Sequence, residues 1–325
     1  MIQIAEVLPS QPNSLWNLVR QAGVSHAVGS LPFDDRGSEH PWDLGPLRRL
    51  KERLEKAGFE LSVIESSPPM QKIRLGQVGR DEEIDCFNTM VRNLGELGVP
   101  VVCYNFMAVF GWKRTRTALP GRGGALVTGY FYDDDKDQPL TEAGVVTEED
   151  LWEHFRYFLA RVLPVAEKAG VKLALHPDDP PLSPIRGVGR IMRSVEGFQR
   201  VVDMAQSESN AITLCQGNFA LMTDDLPSVI RHFGKQNRIA FVHFRDVKGT
   251  PDHFVECFHD EGQTDMLACM QAYKDVSFEG VLRPDHVPTL EGDSNDVPCY
   301  SSIGRLLAIG YITGLRQAVY GRAQA

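Results

Sequence analysis

The chain has no run of eighteen apolar residues, so no segment has the continuous hydrocarbon length a membrane-spanning helix needs. Its start, MIQIAEVLPSQPN, lacks a basic region followed by an apolar one, and no secretory leader is expected. Positive charge is short as well. Against 43 Asp and Glu stand 34 Lys and Arg, a formal charge of −9 with histidine neutral. A chain of that sign is repelled by nucleic acid and by anionic lipid, and neither is expected as a partner. The six cysteines (Cys86, Cys103, Cys215, Cys257, Cys269 and Cys299) contain no CxxC pair and are too sparse for a disulfide framework. Reduced thiols, most of them packing in the core of a cytoplasmic protein, are expected. There is no internal repeat and no low-complexity tract, which excludes solenoids and disordered linkers.

What is present is a large hydrophobic fraction, 42% of 325 residues, and short runs rich in Val, Ile and Phe. They fall at 25–30, 59–66, 99–106, 171–177, 210–217, 239–246, 253–259 and 279–286. Near-continuous apolar character is what a parallel strand covered on both faces requires. Between most runs lie helical patterns, at 42–58, 82–97, 147–170, 194–206, 223–234, 264–275 and 300–318. The segment 147–170 opens with Thr147 and Asp150 in capping-box spacing and closes at Gly170; Pro164 inside it predicts a kink or a break. Eight strands with intervening helices and one composition regime predict a single α/β domain over 1–325, a (β/α)8 TIM barrel. Two features depart from that plan. Only VKGTPD separates 239–246 from 253–259, so a helix has been lost or the two runs form a hairpin. After the third run, residues 107–144 form a long loop, a lid or insertion whose Phe110, Trp112, Lys113, Arg114 and Arg116 suit an anionic substrate.

Barrels of this kind carry their chemistry at the C-terminal strand ends. There the runs place His176, Cys215, His243 and the pair Asp285-His286. Singly, each has a structural reading: a hydrogen-bonded histidine, a small buried thiol, a turn-capping aspartate. Two imidazoles, a thiolate and a carboxylate at the same end of four strands form instead a ligand set for a first-row divalent ion.

Five segments carry a family resemblance: CYNFMAVFGWKRT (103–115), LHPDDPP (175–181), LCQGN (214–218), HFRDV (243–247) and RPDH (283–286). Together they resemble mannonate dehydratase, a family of metal-dependent TIM barrels similar to the xylose isomerase group. The resemblance implies Mn²⁺, or another divalent ion such as Fe²⁺, Co²⁺ or Mg²⁺, held by His176, Cys215, His243 and Asp285. It implies proton chemistry at His286 and Tyr300, and dehydration of D-mannonate to 2-keto-3-deoxy-D-gluconate. Asn105, Trp112, Asp178, Asp179, Arg245 and Arg283, from the same motifs, are the expected substrate contacts, with the two aspartates substrate-facing or supporting the ligands. A small sugar acid is the expected partner, in a homo-oligomer. Relative to the family pattern, Ala108 replaces proline, Gly111 aspartate and Lys113 threonine, while Val287 and Cys299 stand where glycine is usual. Those changes leave open a related sugar acid, or an isomerase or epimerase working through an enediol. A third reading, a non-catalytic sugar-acid-binding barrel, would require lost ligands, and none is lost.

Overall fold

Residues 1–321 of this computed structural model are described, and they form twelve strands. In chain order these are β1 (Gln3–Val7), β2 (His26–Gly29), β3 (Glu60–Glu65), β4 (Val101–Asn105), β5 (Arg116–Pro120) and β6 (Leu126–Phe131). Then follow β7 (Lys172–His176), β8 (Asn210–Cys215), β9 (Ile239–Phe244), β10 (Val247–Thr250), β11 (His253–Glu256) and β12 (Val281–Pro284). Eight of them close into a parallel barrel in the order β1-β12-β9-β8-β7-β4-β3-β2. Ala5, Val28, Val63, Ala174, Ala211 and Phe241 pack together as its inner core, mostly small side chains around one large ring. A second and larger core lies between the barrel and its helices, and includes Leu47, Phe87, Phe155, Phe158 and Phe233. Among the described residues no helix is long and apolar enough to cross a membrane.

The other four strands form an antiparallel sheet in the order β10-β11-β6-β5. It revises three sequence expectations. The run 253–259 is not a barrel strand: β11 pairs antiparallel with β10 in a hairpin and with β6 on its other side. The eighth barrel strand is β1, whose five residues the sequence reading passed over. Residues 107–144 are not irregular, because β5 and β6 lie within them and hydrogen-bond to each other. The helix Glu148–Ala169 also runs on through Pro164. Its capping box and its buried stripe, including Leu159, Val162, Leu163 and Ala166, support both sides of the proline.

Candidate active site

Side chains alternate along a strand, so one inward residue fixes the others on that face. Ala174 points into the barrel, and so does His176; Ala211 is followed by Thr213 and Cys215, and Phe241 by His243. The same alternation brings Val63 to Glu65, Cys103 to Asn105, and Val281 to Arg283 and Asp285. The parallel register then sets these ends side by side, pairing Asn105 with His176 and Cys215 with His243.

The donor atoms of His176, Cys215 and His243 all lie within 4.8 Å of one another. Each imidazole is oriented from behind. His176 Nδ1 donates to the Pro177 carbonyl at 2.7 Å, which leaves Nε2 as the inward lone pair. His243 Nε2 lies 3.3 Å from Glu65 Oε1, and that carboxylate favours a proton there, turning Nδ1 inward. The inward nitrogens are 3.2 Å apart, and Asp285 Oδ2 is 3.5 Å from His243 Nδ1. Two lone pairs that close need a positive charge between them, a proton or a metal ion. Burial and Arg283 disfavour a charged His243, yet Glu65 and Asp285 outweigh them and raise its pKa well above the usual imidazole range. Burial pushes the Cys215 thiol up, but the Arg245 charge and hydrogen bonds from both histidines hold it well below, as a thiolate. Burial likewise opposes ionisation of Asp285, which Arg283, His286 and His243 overcome. Two imidazole nitrogens and a thiolate around one point, with a carboxylate beside one of them, are donors that suit a divalent ion. Three of the expected ligands, His176, Cys215 and His243, converge, and Asp285 adjoins them through His243.

His286 and Tyr300 stand beside this group. Tyr300 OH donates to Asp285 Oδ1 at 3.4 Å, and His286 Nε2 is 3.7 Å from the same oxygen. Burial, with Asp285 adding to it, raises the Tyr300 phenol well above its ordinary value, so it keeps its proton. His286 packs edge-on against Tyr300, with ring centroids 5.8 Å apart, and lies 5.3 Å from the Trp112 ring. These groups open on a cavity that Glu65, Ser67, Asn105, Trp112, His176, Asp179, His243, Arg283 and Asp285 also line.

Not every expected substrate contact reaches that cavity. Asp178 is buried to one side: its carboxylate accepts from Met192 N at 2.7 Å and faces Arg190 at 3.6 Å. Arg245 lies behind Asp285, its Nε 3.1 Å from Oδ2, with its two terminal nitrogens donating to Asp179, Asn218 and Glu256. Asp179 and Arg283 do line the cavity, but both are heavily paired. Asp179 is held by Arg114 and Arg245, and Arg283 grips Glu65 with two bonds of 2.7 and 2.9 Å. Asn105 Oδ1 accepts from Arg74 and from Met107 N, which leaves its NH₂ for a ligand. The basic residues of 107–144 are also committed internally: Lys113 to Asp135, Arg114 to Asp179 and Glu256, Arg116 to Asp134. Of the five residues expected to meet an anionic substrate, Trp112 alone lines the cavity, half exposed at its rim.

Two residues of the site went unread in the sequence. Glu65 ends its strand just as the ligands do, and a strand-end reading extended to the run 59–66 would have found it. Glu256 sat in the run mistaken for a barrel strand.

A family model described as D-mannonate dehydratase (UxuA) matches residues 9–145 and 140–325. Mannonate dehydratase 2 of Halalkalibacterium halodurans is 36% identical over 307 residues, covering 86% of this chain and 88% of that protein. The chain belongs to the mannonate dehydratase family. The crystal structure of mannonate dehydratase from Streptococcus suis serotype 2 superposes with a TM-score of 0.89 at 32% identity, covering 100% of this chain and 96% of that one. L-Ribulose 3-epimerase, at TM-score 0.64, 16% identity and coverage of 98% and 96%, shares the fold. Where glycine is usual in the mannonate dehydratase pattern, Cys299 holds φ at 72°, a left-handed conformation that favours glycine. Its carbonyl accepts from Val287 N at 2.9 Å and its thiol meets Thr128 Oγ1 at 3.1 Å.

Proposed function

We propose that this chain dehydrates D-mannonate to 2-keto-3-deoxy-D-gluconate and water, with Mn²⁺ or a neighbouring divalent ion held by His176, Cys215, His243 and Asp285. The observation that carries this reading is a proton-retaining phenol and an imidazole placed together beside the ligand Asp285. A bound divalent ion would supply Lewis acidity to the substrate carboxylate and its neighbouring hydroxyl, making the C2 proton removable. His286 Nε2 takes that proton. The C2–H electron pair becomes the C2–C3 double bond as the C3–O bond breaks, and the departing hydroxyl leaves as water with the Tyr300 proton. The resulting enol loses its hydroxyl proton and gains one at C3, giving the keto acid. Solvent returns the His286 proton to Tyr300. Isomerisation or epimerisation expels no hydroxyl and so needs no acid at a leaving group.

The test is a panel of aldonates incubated with the Mn²⁺-loaded protein and assayed for 2-keto-3-deoxy acids. D-Mannonate is expected to react fastest. Faster turnover of another aldonate reassigns the substrate, and no such product from any of them defeats the dehydratase reading. Tyr300→Phe keeps the ring and removes the proton, and is expected to slow turnover by about 10²–10⁴ with metal content unchanged.

A further inference from the structure

We propose that Glu256, reaching in from the antiparallel sheet, is a positioning residue that keeps the His286 proton on Nδ1 and turns the Nε2 lone pair toward the cavity. Its consequence for turnover rests on His286 being the base described above. Glu256 Oε1 lies 2.9 Å from His286 Nδ1. A carboxylate can only accept, so the proton belongs on Nδ1. Arg114 Nη2 is a rival at 3.2 Å and could only donate, which would demand the opposite tautomer. It has no hydrogen to give. Nη2 carries two, and they are used on Asp179 Oδ2 at 3.0 Å and on Glu256.

Glu256 is itself rigidly placed. Both its oxygens accept from Arg245 Nη1, at 2.9 and 2.8 Å, and its backbone pairs with Val247 across the β10–β11 ladder. Arg114, Arg245, Asp179 and Glu256 form a buried set of two cations and two anions, so the carboxylate stays charged without leaving net charge in the interior. From the other side His286 is held by its backbone, with φ at 43°, and by Tyr300 and Trp112 against its ring. A base whose lone pair must meet the substrate needs both its ring plane and its tautomer set, and a carboxylate behind the far nitrogen sets both.

The experiment uses ¹⁵N-histidine-labelled protein loaded with diamagnetic Mg²⁺, with the His286 signals assigned by their loss in His286→Asn. In the wild type the proton is expected on Nδ1, with Nε2 unprotonated. In Glu256→Gln the Nε2–H form is expected to appear. With Mn²⁺ and D-mannonate, kcat should fall by about 10²–10⁴ while KM and metal content hold. A wild-type proton on Nε2 overturns the proposal, and so does a folded Glu256→Gln that keeps kcat. Should that variant not fold, the wild-type tautomer decides alone. The tautomer also reads out if no aldonate is dehydrated, so failure of the proposed reaction is seen separately.

Discussion

The closed barrel and the four-stranded sheet beside it build opposite sides of one site by different rules. In the barrel, strand periodicity and parallel register place His176, Cys215 and His243 at neighbouring strand ends, so the metal-binding side follows from local pattern. In the sheet, Arg114 lies just before β5 and Glu256 at the end of β11, 142 residues apart, yet both reach His286. The proton-handling side therefore depends on two distant segments pairing correctly.

The largest expected effect lies in the barrel. His243→Ala removes one of the proposed donors and should strip the metal, with activity lost alongside it. Elemental analysis of the purified variant checks this, and stoichiometric metal would refute the ligand assignment. Next comes a stability effect at His259, just beyond β11. Burial outweighs its hydrogen bond to the Phe244 carbonyl and pushes its pKa down to about 4. The unfolded chain, with an ordinary imidazole, takes up a proton first as pH falls. Stability should thus be full above pH ~6.5 and decline toward pH 4 by about 3 kcal/mol. Urea titrations of metal-free wild type and His259→Gln across that window should differ in slope by that amount; parallel slopes would clear His259.

Smaller effects separate the two regions. Glu65→Gln weakens the partner behind His243, and metal affinity measured against a chelator should drop about 10–100-fold. An unchanged affinity would mean that Glu65 serves only Arg283. Gly129→Ala, in β6, puts a Cβ 2.9 Å from the Phe254 carbonyl oxygen and 2.8 Å from the Phe131 ring. It should cost about 1–3 kcal/mol and reduce kcat through a shifted sheet, while the metal stays stoichiometric. Metal lost together with kcat would show that the two sides of the site are not separable.

That division also explains what could be read without a structure. Seven of the eight apolar runs are barrel strands, because a strand buried on both faces announces itself in composition. β1 escaped notice because Glu6 interrupts its apolar run, turning out of the barrel to meet Arg305. The proposed ligands were legible as candidates, since each member ends an apolar run. Asp178 and Arg245 were misplaced for a different reason. Motif proximity to a ligand says nothing about which way a side chain turns, and these two turn toward Met192 and toward the charge cluster behind Asp285. Glu256 was beyond reach, because its strand has the composition of a barrel strand and only its pairing shows otherwise.

Trp112 gives the molecule an optical handle. Of the four tryptophans, Trp16, Trp42 and Trp152 are buried, while Trp112 is 45% exposed at the cavity rim beside His286. Its emission is the part that a dissolved quencher such as iodide reaches first. A molecule entering the cavity shields that indole, so quenching measured with and without a sugar acid would count occupied sites without waiting for a reaction.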